Sequence, residues 1–171
     1  VDDGELVVIG DASWRPEFRD SVTQNGKAGK LAGRFSTVGG HFSLCSQKSN
    51  LISLIGCPRS VGSFSCIGQL VASLKDGPDT VRDDYRVNFC TELVDCRGGP
   101  TTVGGVMDIS RNRLVDLTGC PISVGGFNAS ANRLTCLVGG PQILDSGDRW
   151  GRYMVHDNPL DPLNGLCGLV V

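Results

Sequence analysis

The sequence lacks the features of several protein classes. It has no apolar run of the roughly 18 residues that a membrane-spanning helix needs, so we expect no membrane span. The formal net charge is only -2, so no basic field is available to hold nucleic acid nonspecifically. Of the 171 residues, 20% are charged and 40% hydrophobic, which is too apolar for a disordered chain. The composition favours one or two small folded domains.

Aromatic residues are also scarce, at 6% of the chain, whereas glycine (24) and proline (8) are abundant. Glycine and proline are the residues that chain reversals use most, each for its own backbone geometry. Their density in a chain without a disorder-type charge pattern predicts many turns between short strands.

Catalytic motifs are missing as well. The two histidines, His41 and His156, lie far apart in the chain, and no serine or aspartate spacing links either of them to a triad. The segment GKAGK at 26–30 lacks the leading glycine and the Ser/Thr of a phosphate loop. We therefore expect no enzyme activity and no cofactor, and we interpret this segment as a flexible connector.

Prolines mark an internal repeat. Pro58, Pro78, Pro100, Pro121 and Pro141 are spaced 20, 22, 21 and 20 residues apart. Four residues before each proline stand Leu54, Leu74, Cys96, Leu117 and Leu137, and three residues before those stand Leu51, Val71, Leu93, Leu114 and Leu134. Three columns that stay in step over five turns predict a stack of similar units, each burying the apolar face of the next.

The turn at 124–134 reads VGGFNASANRL, which is close to the pattern LxxLxLxxNxL. Segments beginning at Val61 and Trp150 fit the same pattern without gaps. In these segments the chain resembles the leucine-rich-repeat family, over roughly residues 38–165. The resemblance implies a leucine-rich-repeat solenoid with a parallel β-sheet on its concave face. A repeat of 20 to 22 residues leaves little room for a helix, so we expect extended or 3₁₀ segments on the convex side.

The repeat pattern GCPxSVGGFxxSxNxL is similar to short repeats of bacterial and phage proteins, including those of secreted bacterial effectors. In some of these effectors the repeats precede a ubiquitin-ligase domain. No segment here matches such a domain, so that activity is not carried over.

The resemblance also assigns a structural ladder to the point where each strand ends. The predicted ladder consists of Ser49, Gln69, Thr91, Asn112, Asn132 and Asn158. Asparagine can satisfy a backbone donor and a backbone acceptor together. We therefore expect the bonds of Asn112, Asn132 and Asn158 to be stronger than those of the first three turns.

The eight cysteines are interpreted mainly as structural free thiols, with zinc binding or disulfides as the alternative. No CxxC pair occurs. Cys66 stands where other turns have Ala129 and Val155, and Cys96 stands where another has Leu117. This is how a small buried hydrophobic residue behaves. No metal site is predicted.

The ends of the chain depart from the repeat. We assign residues 1–37 to an N-terminal cap, 38–165 to a solenoid of about six turns, and 166–171 to an apolar tail. Within the cap, 6–9 is a predicted strand and 13–24 has the pattern of a short helix, with Ser13 as its N-cap. Trp14 and Phe18 would share one helix face and cover the first turn. The tail is expected to form a final strand, or to bury against a partner or another copy of the chain.

The outward residues of the predicted strands indicate where a partner binds. From Arg86 onward they become charged and mixed, and arginine is common at interface hot spots. The predicted contact residues are Arg86, Asp108, Arg111, Asn128, Arg152 and His156. The alternative is that these are ordinary solvated strand positions.

The sequence thus favours a non-catalytic protein-interaction module that uses the concave face, with a protein as partner rather than nucleic acid or membrane. The alternative is a structural subunit of a phage virion or other assembly, docked through its ends and C-terminal tail. An enzyme or metal protein is the remaining interpretation. Reduced cysteines and an acidic start without a secretory pattern predict a cytoplasmic location, in a bacterium or a phage-infected cell, or a virion.

Overall fold

A computed structural model describes residues 7–8, 12–13, 37–45, 51–144 and 153–162. These ranges contain β-strands, turns and extended chain, and no helix. The strands are β1 (Val7–Val8), β2 (Ala12–Ser13), β3 (Thr37–Ser43), β4 (Ser60–Ser65), β5 (Thr80–Val81), β6 (Tyr85–Arg86), β7 (Thr102–Val103), β8 (Val106–Asp108), β9 (Ser123–Val124), β10 (Gly126–Asn128), β11 (Ile143–Leu144) and β12 (Tyr153–Met154). They pair in parallel as a β-solenoid of about five turns. The predicted parallel solenoid is therefore confirmed. Of the extended or 3₁₀ segments expected on the convex side, the described residues contain the extended form.

Each of the six strands β3, β4, β6, β8, β10 and β12 places one large apolar side chain at the same point of the main sheet. The column runs through Phe42, Phe64, Tyr85, Met107, Phe127 and Tyr153. Ring centroids are 6.2 Å apart for Phe42 and Phe64 and 5.3 Å apart for Phe64 and Tyr85. Because side chains alternate along a strand, the neighbours of each column member face outward. The inward column is thereby apolar, whereas most of the outward side chains beside it are polar, with Val106 and Met154 as exceptions.

The outer half of each turn closes the core. Both columns that precede the prolines are buried, and so are the five prolines themselves. Burying a leucine side chain completely is worth about 1.5–3 kcal/mol. The core therefore runs along the whole described stack, between the sheet and the outer turns.

Glycine stands between the two strand segments of most turns, because neighbouring backbones approach closely there. A Cβ on Gly62 would lie 2.5 Å from the carbonyl oxygen of Gly39, and one on Gly125 would lie 2.7 Å from that of Gly104. These distances are too short for any side chain. The glycine pairs therefore set how closely successive turns can stack.

Two corners of each turn use left-handed backbone. The outer corner is Gly56, Asp76, Gly98, Gly119 and Gly139. The inner corner lies three residues after the end of β4, β6, β8, β10 and β12. It is Gly68, Phe89, Arg111, Ala131 and Asp157, with φ between 55° and 68°. This conformation costs a non-glycine residue on the order of 1 kcal/mol. The inner corner is therefore strained in four successive turns.

Parallel pairing also reaches the N-terminal region. β1 pairs with Thr37 and Val38, and β2 pairs with Phe42 and Ser43. The strand predicted at 6–9 contains β1, and Ser13 ends β2. The rest of the predicted helix, with Trp14 and Phe18, lies outside the described residues, as does the tail at 166–171. The described N-terminal strands extend the same sheet.

Candidate partner-binding surface

The outward face of the sheet brings three of the predicted contact residues into one column. Arg86 is registered beside Asp108, and Asp108 beside Asn128. Neighbouring parallel strands lie about 4.8 Å apart, so the three side chains occupy adjacent turns. All three are half-buried. We call these three residues the strand strip.

Arg86 is oriented by a carboxylate of its own turn. Its Nη2 donates to Oδ2 of Asp84 at 2.6 Å, while Oδ1 of Asp84 accepts the backbone N–H of Val106 at 2.9 Å. Asp84 is thereby held in place by the next turn. The Arg86 side chain remains 43% exposed, so N–H groups of its guanidinium stay available to a partner.

Asp108 and Asn128 make matching local bonds one turn apart. Oδ1 of Asp108 accepts the N–H of Ser110 at 3.0 Å and its hydroxyl at 2.6 Å. Oδ1 of Asn128 accepts the N–H of Ser130 at 3.1 Å and its hydroxyl at 2.7 Å. These bonds support the backbone as the chain leaves the strand, which is the ordinary structural role considered from sequence.

Each residue nevertheless keeps a polar atom for other contacts. Oδ2 of Asp108 receives a long contact of 3.4 Å from Nδ2 of Asn88, and Nδ2 of Asn128 donates to no acceptor within the described ranges. The strand strip therefore presents a guanidinium, a carboxylate oxygen and an amide N–H in sequence along the stack.

The other predicted contact residues do not join this column. Arg111 lies at the inner corner, with its guanidinium carbon 5.1 Å from the ring centroid of Phe89. His156 lies in the last described turn, and its Nδ1 is 2.9 Å from Oδ2 of Asp157. Arg152 lies outside the described residues. The sequence pattern thus predicted a single surface that the structure divides into a strip, a corner and a distal histidine.

Phe89 was not identified from sequence, although it is 48% exposed and lies beneath Arg111. Its signal is that it occupies the inner-corner position at which an earlier turn has Gly68. A large apolar residue is unusual where the backbone conformation favours glycine. Aligning the third turn with the second would have placed Phe89 opposite Gly68 and revealed this.

The three ladder asparagines make equivalent bonds in successive turns. Oδ1 of Asn132 accepts the N–H groups of Asn112 and Leu114, at 3.2 and 3.1 Å. Oδ1 of Asn158 likewise accepts those of Asn132 and Leu134, both at 3.1 Å. The Nδ2 atoms donate to strand carbonyls, including that of Ala129 for both Asn132 and Asn158. Each asparagine side chain therefore joins two turns.

The third turn differs from the predicted ladder. Asn112 Oδ1 accepts the N–H of Cys90 at 2.7 Å, so Cys90 holds the ladder position and Thr91 is exposed. In the neighbouring turns the ladder residue lies two positions before the core leucine or valine, but here it lies three positions before Leu93. Counting back two positions from Leu93 therefore gave Thr91. Counting five residues forward from Tyr85, as from Met107 to Asn112, gives Cys90. Gln69 does occupy the ladder, accepting the N–H of Leu51 at 3.1 Å; Ser49 lies outside the described residues.

The cysteines in the described ranges are free thiols. Burial raises the pKa of Cys57 to about 12. The Cys90 thiol donates to the backbone carbonyl of Cys66 at 3.3 Å. Interaction with the neighbouring Cys90 thiol, followed by burial, raises the pKa of Cys66. A raised pKa disfavours the thiolate, which is the form that attacks electrophiles and binds metal. Within the described residues no group of His, Cys, Asp and Glu is arranged to hold a metal ion.

Comparison with known proteins finds no match to a family model, to a curated sequence or to a solved structure. The described residues also form no helix long and apolar enough to cross a membrane. The surface is therefore interpreted from its own geometry.

Proposed function

We propose that this solenoid is a short-repeat leucine-rich-repeat protein and that it is a non-catalytic module binding a protein partner through the strand strip. The repeat type is supported by the asparagine ladder, in which Asn112, Asn132 and Asn158 bond backbone groups at one position of successive turns. The proposed location is the cytoplasm of a bacterium or of a phage-infected cell.

The observation that carries the binding role is the register of Arg86, Asp108 and Asn128. Three chemically different polar groups lie side by side on a rigid sheet, and each keeps an atom for further bonding. A fixed array of donor, acceptor and donor discriminates between partners, because a mismatched partner would leave desolvated groups unpaired. Arginine at such a position is typical of interface hot spots.

The test is affinity capture from a bacterial lysate with wild type and a strip variant, Arg86→Gln combined with Asp108→Asn. Asn128 already occupies the next position of the column, so asparagine preserves the bonds to Ser110 while it removes the charge. The matched control is Arg59→Gln with Asp79→Asn, an exposed pair at 3.4 Å outside the strip. Circular dichroism checks that both variants fold.

We expect a protein captured by wild type and by the control to be lost from the strip variant. Loss of one buried polar interface pair weakens binding by about 2 kcal/mol or more, roughly thirtyfold. Capture that is equal for all three proteins would contradict a binding role for the strip.

A second candidate is an assembly subunit, and the last strand favours it. Within the described residues β12 pairs only with β10, and no described strand covers its other edge, where a strand of another copy could pair. Sedimentation over a concentration range tests this role: a concentration-dependent oligomer that is lost on deleting 165–171 would support it. A monomer at all concentrations would contradict it.

A further inference from the structure

A second surface lies beside the strand strip, where the chain leaves the sheet. It consists of four exposed residues on three adjacent turns, which we call the rim: Phe89, Arg111, Arg113 and Arg133. The chain turns outward here through the inner corner. Buried Asn112, between Arg111 and Arg113, anchors the backbone.

Phe89 is strained without gaining a buried position. Its φ is 58°, a backbone conformation that a bulky side chain rarely adopts. Half of its surface remains exposed, so burial in the core offsets little of this cost. The strain itself belongs to the repeat, because Ala131 and Asp157 share it. What distinguishes Phe89 is a large aromatic side chain left exposed at the corner where another turn has Gly68, and exposed aromatic residues are common at interfaces.

Arg111 shows the same strain one turn further on, with φ 57°. Its guanidinium lies over the Phe89 ring at 5.1 Å, and it has no carboxylate partner in the described part of the chain. The guanidinium N–H groups make no hydrogen bond or ion pair within the described residues. A planar, oriented guanidinium edge matches a carboxylate, which it can bind through two parallel hydrogen bonds.

The adjacent arginines reinforce this positive character. Arg113 and Arg133 occupy equivalent positions in neighbouring turns, one residue after the ladder asparagine. Two like charges on adjacent turns repel each other. Arg113 has only a long contact of 3.8 Å with Glu92, and Arg133 has no ion pair among the described residues. An anionic partner would relieve this repulsion.

We infer that the rim binds an acidic protein segment, with a carboxylate on Arg111 and an adjacent apolar side chain packed against Phe89. The inference rests on the proposed protein-binding function and names the chemistry of the partner. A peptide is favoured over nucleic acid for two reasons. The chain is negative overall, at -2. An apolar contact beside a carboxylate site also matches an acidic residue next to an apolar residue in a peptide.

The test measures binding of a fluorescent peptide, Gly-Glu-Glu-Leu-Glu-Gly, to the full chain by anisotropy. The controls are the glutamine version of the peptide and an oligouridine probe.

The key variant is Phe89→Gly, because glycine is the residue of an equivalent corner. It removes the ring and the backbone strain together, whereas a purely structural phenylalanine would be needed for stability.

We expect Phe89→Gly to keep or raise the Tm while it weakens peptide binding about tenfold or more. Arg111→Gln should weaken binding similarly. The matched control is Ala131→Gly, which relieves the same backbone strain and leaves the rim side chains in place. It should raise the Tm without changing peptide affinity.

Three results would overturn the inference. They are no binding of the glutamate peptide up to about 1 mM, equal binding of the glutamine peptide, and tighter Phe89-dependent binding of oligouridine. Its failure is separable from that of the proposed function. A partner lost from the strip variant but retained by Phe89→Gly would leave the strip standing and reject the rim. Peptide binding that depends on the rim, together with unchanged capture by the strip variant, would support the rim and reject the strip.

Discussion

At the scale of single residues, the Tyr85 hydroxyl is buried without a hydrogen-bond partner among the described residues. Burial also raises the pKa of Tyr85 well above its usual value, with the neighbouring Cys66 adding to the effect. The same column has phenylalanine at Phe64 and Phe127, so the ring is what the position requires. The hydroxyl adds a desolvation cost that the fold does not recover.

We expect Tyr85→Phe to stabilise the protein by about 1 kcal/mol, because it removes an unsatisfied buried hydroxyl and keeps the ring stacked on Phe64. Urea unfolding measures the change. Tyr153→Phe is the control and should have a smaller effect, because the half-buried Tyr153 lies nearer to solvent. A destabilised Tyr85→Phe protein would mean that the hydroxyl has a bonding partner, such as a buried water.

At the scale of the repeating element, the ladder side chain replaces bonds that the backbone cannot make for itself. Where the chain leaves the sheet, N–H groups of one turn face the next turn without a strand to pair with. Asn132 accepts two of these N–H groups and donates to the carbonyls of Ile109 and Ala129. Unpaired buried backbone groups are costly, so the ladder fixes where each strand ends.

We expect Asn132→Ala to lower the free energy of unfolding by about 3 kcal/mol or more, because it leaves several buried backbone groups unpaired. Thr91→Ala should change it by less than about 0.5 kcal/mol, since Thr91 is exposed and outside the ladder. Chemical denaturation of both variants measures this contrast. A large loss with Thr91→Ala would mean that Thr91, rather than Cys90, belongs to the ladder.

At the scale of the whole molecule, each turn contacts mainly the turns beside it. The strands pair in stack order, from β3 through β4, β6, β8 and β10 to β12. Stability in such a stack is approximately a sum of turn and neighbour contributions. Distant turns should therefore contribute independently.

This independence gives a prediction for paired core truncations. Leu54→Ala, Leu117→Ala and Leu137→Ala should each cost about 2–5 kcal/mol. The costs of Leu54→Ala and Leu137→Ala should add, because these leucines are four turns apart. Those of Leu117→Ala and Leu137→Ala, in adjacent turns, should deviate from additivity by about 0.5 kcal/mol or more. Double-mutant cycles in urea measure both pairs, and neutral single variants would show the repeat register to be wrong.

The sequence by itself determined the period, the core columns and the parallel stacking. These three features can be inferred from the sequence because each turn must bury the same positions against its neighbours. Leucines and prolines therefore recur at nearly fixed spacing. Three of the ladder positions, Asn112, Asn132 and Asn158, were likewise readable in the regular turns. Of the extended or 3₁₀ segments expected on the convex side, the described residues contain the extended form, because turns and extended chain suffice to close so short a repeat.

Only the tertiary structure decided which outward side chains meet. Arg86 and Asp108, or Phe89 and Arg111, are 22 residues apart in the chain, and stacking makes each pair neighbours. Their alignment depends on the register between strands. The extra residue of the third turn lies after the strand, between Cys90 and Leu93, so it offsets the outer side of the turn and leaves the strand register unchanged. Cys90 in place of Thr91 is the clearest case. Burial constrains the inward columns in every turn, whereas the outward surface is set by how neighbouring turns are registered.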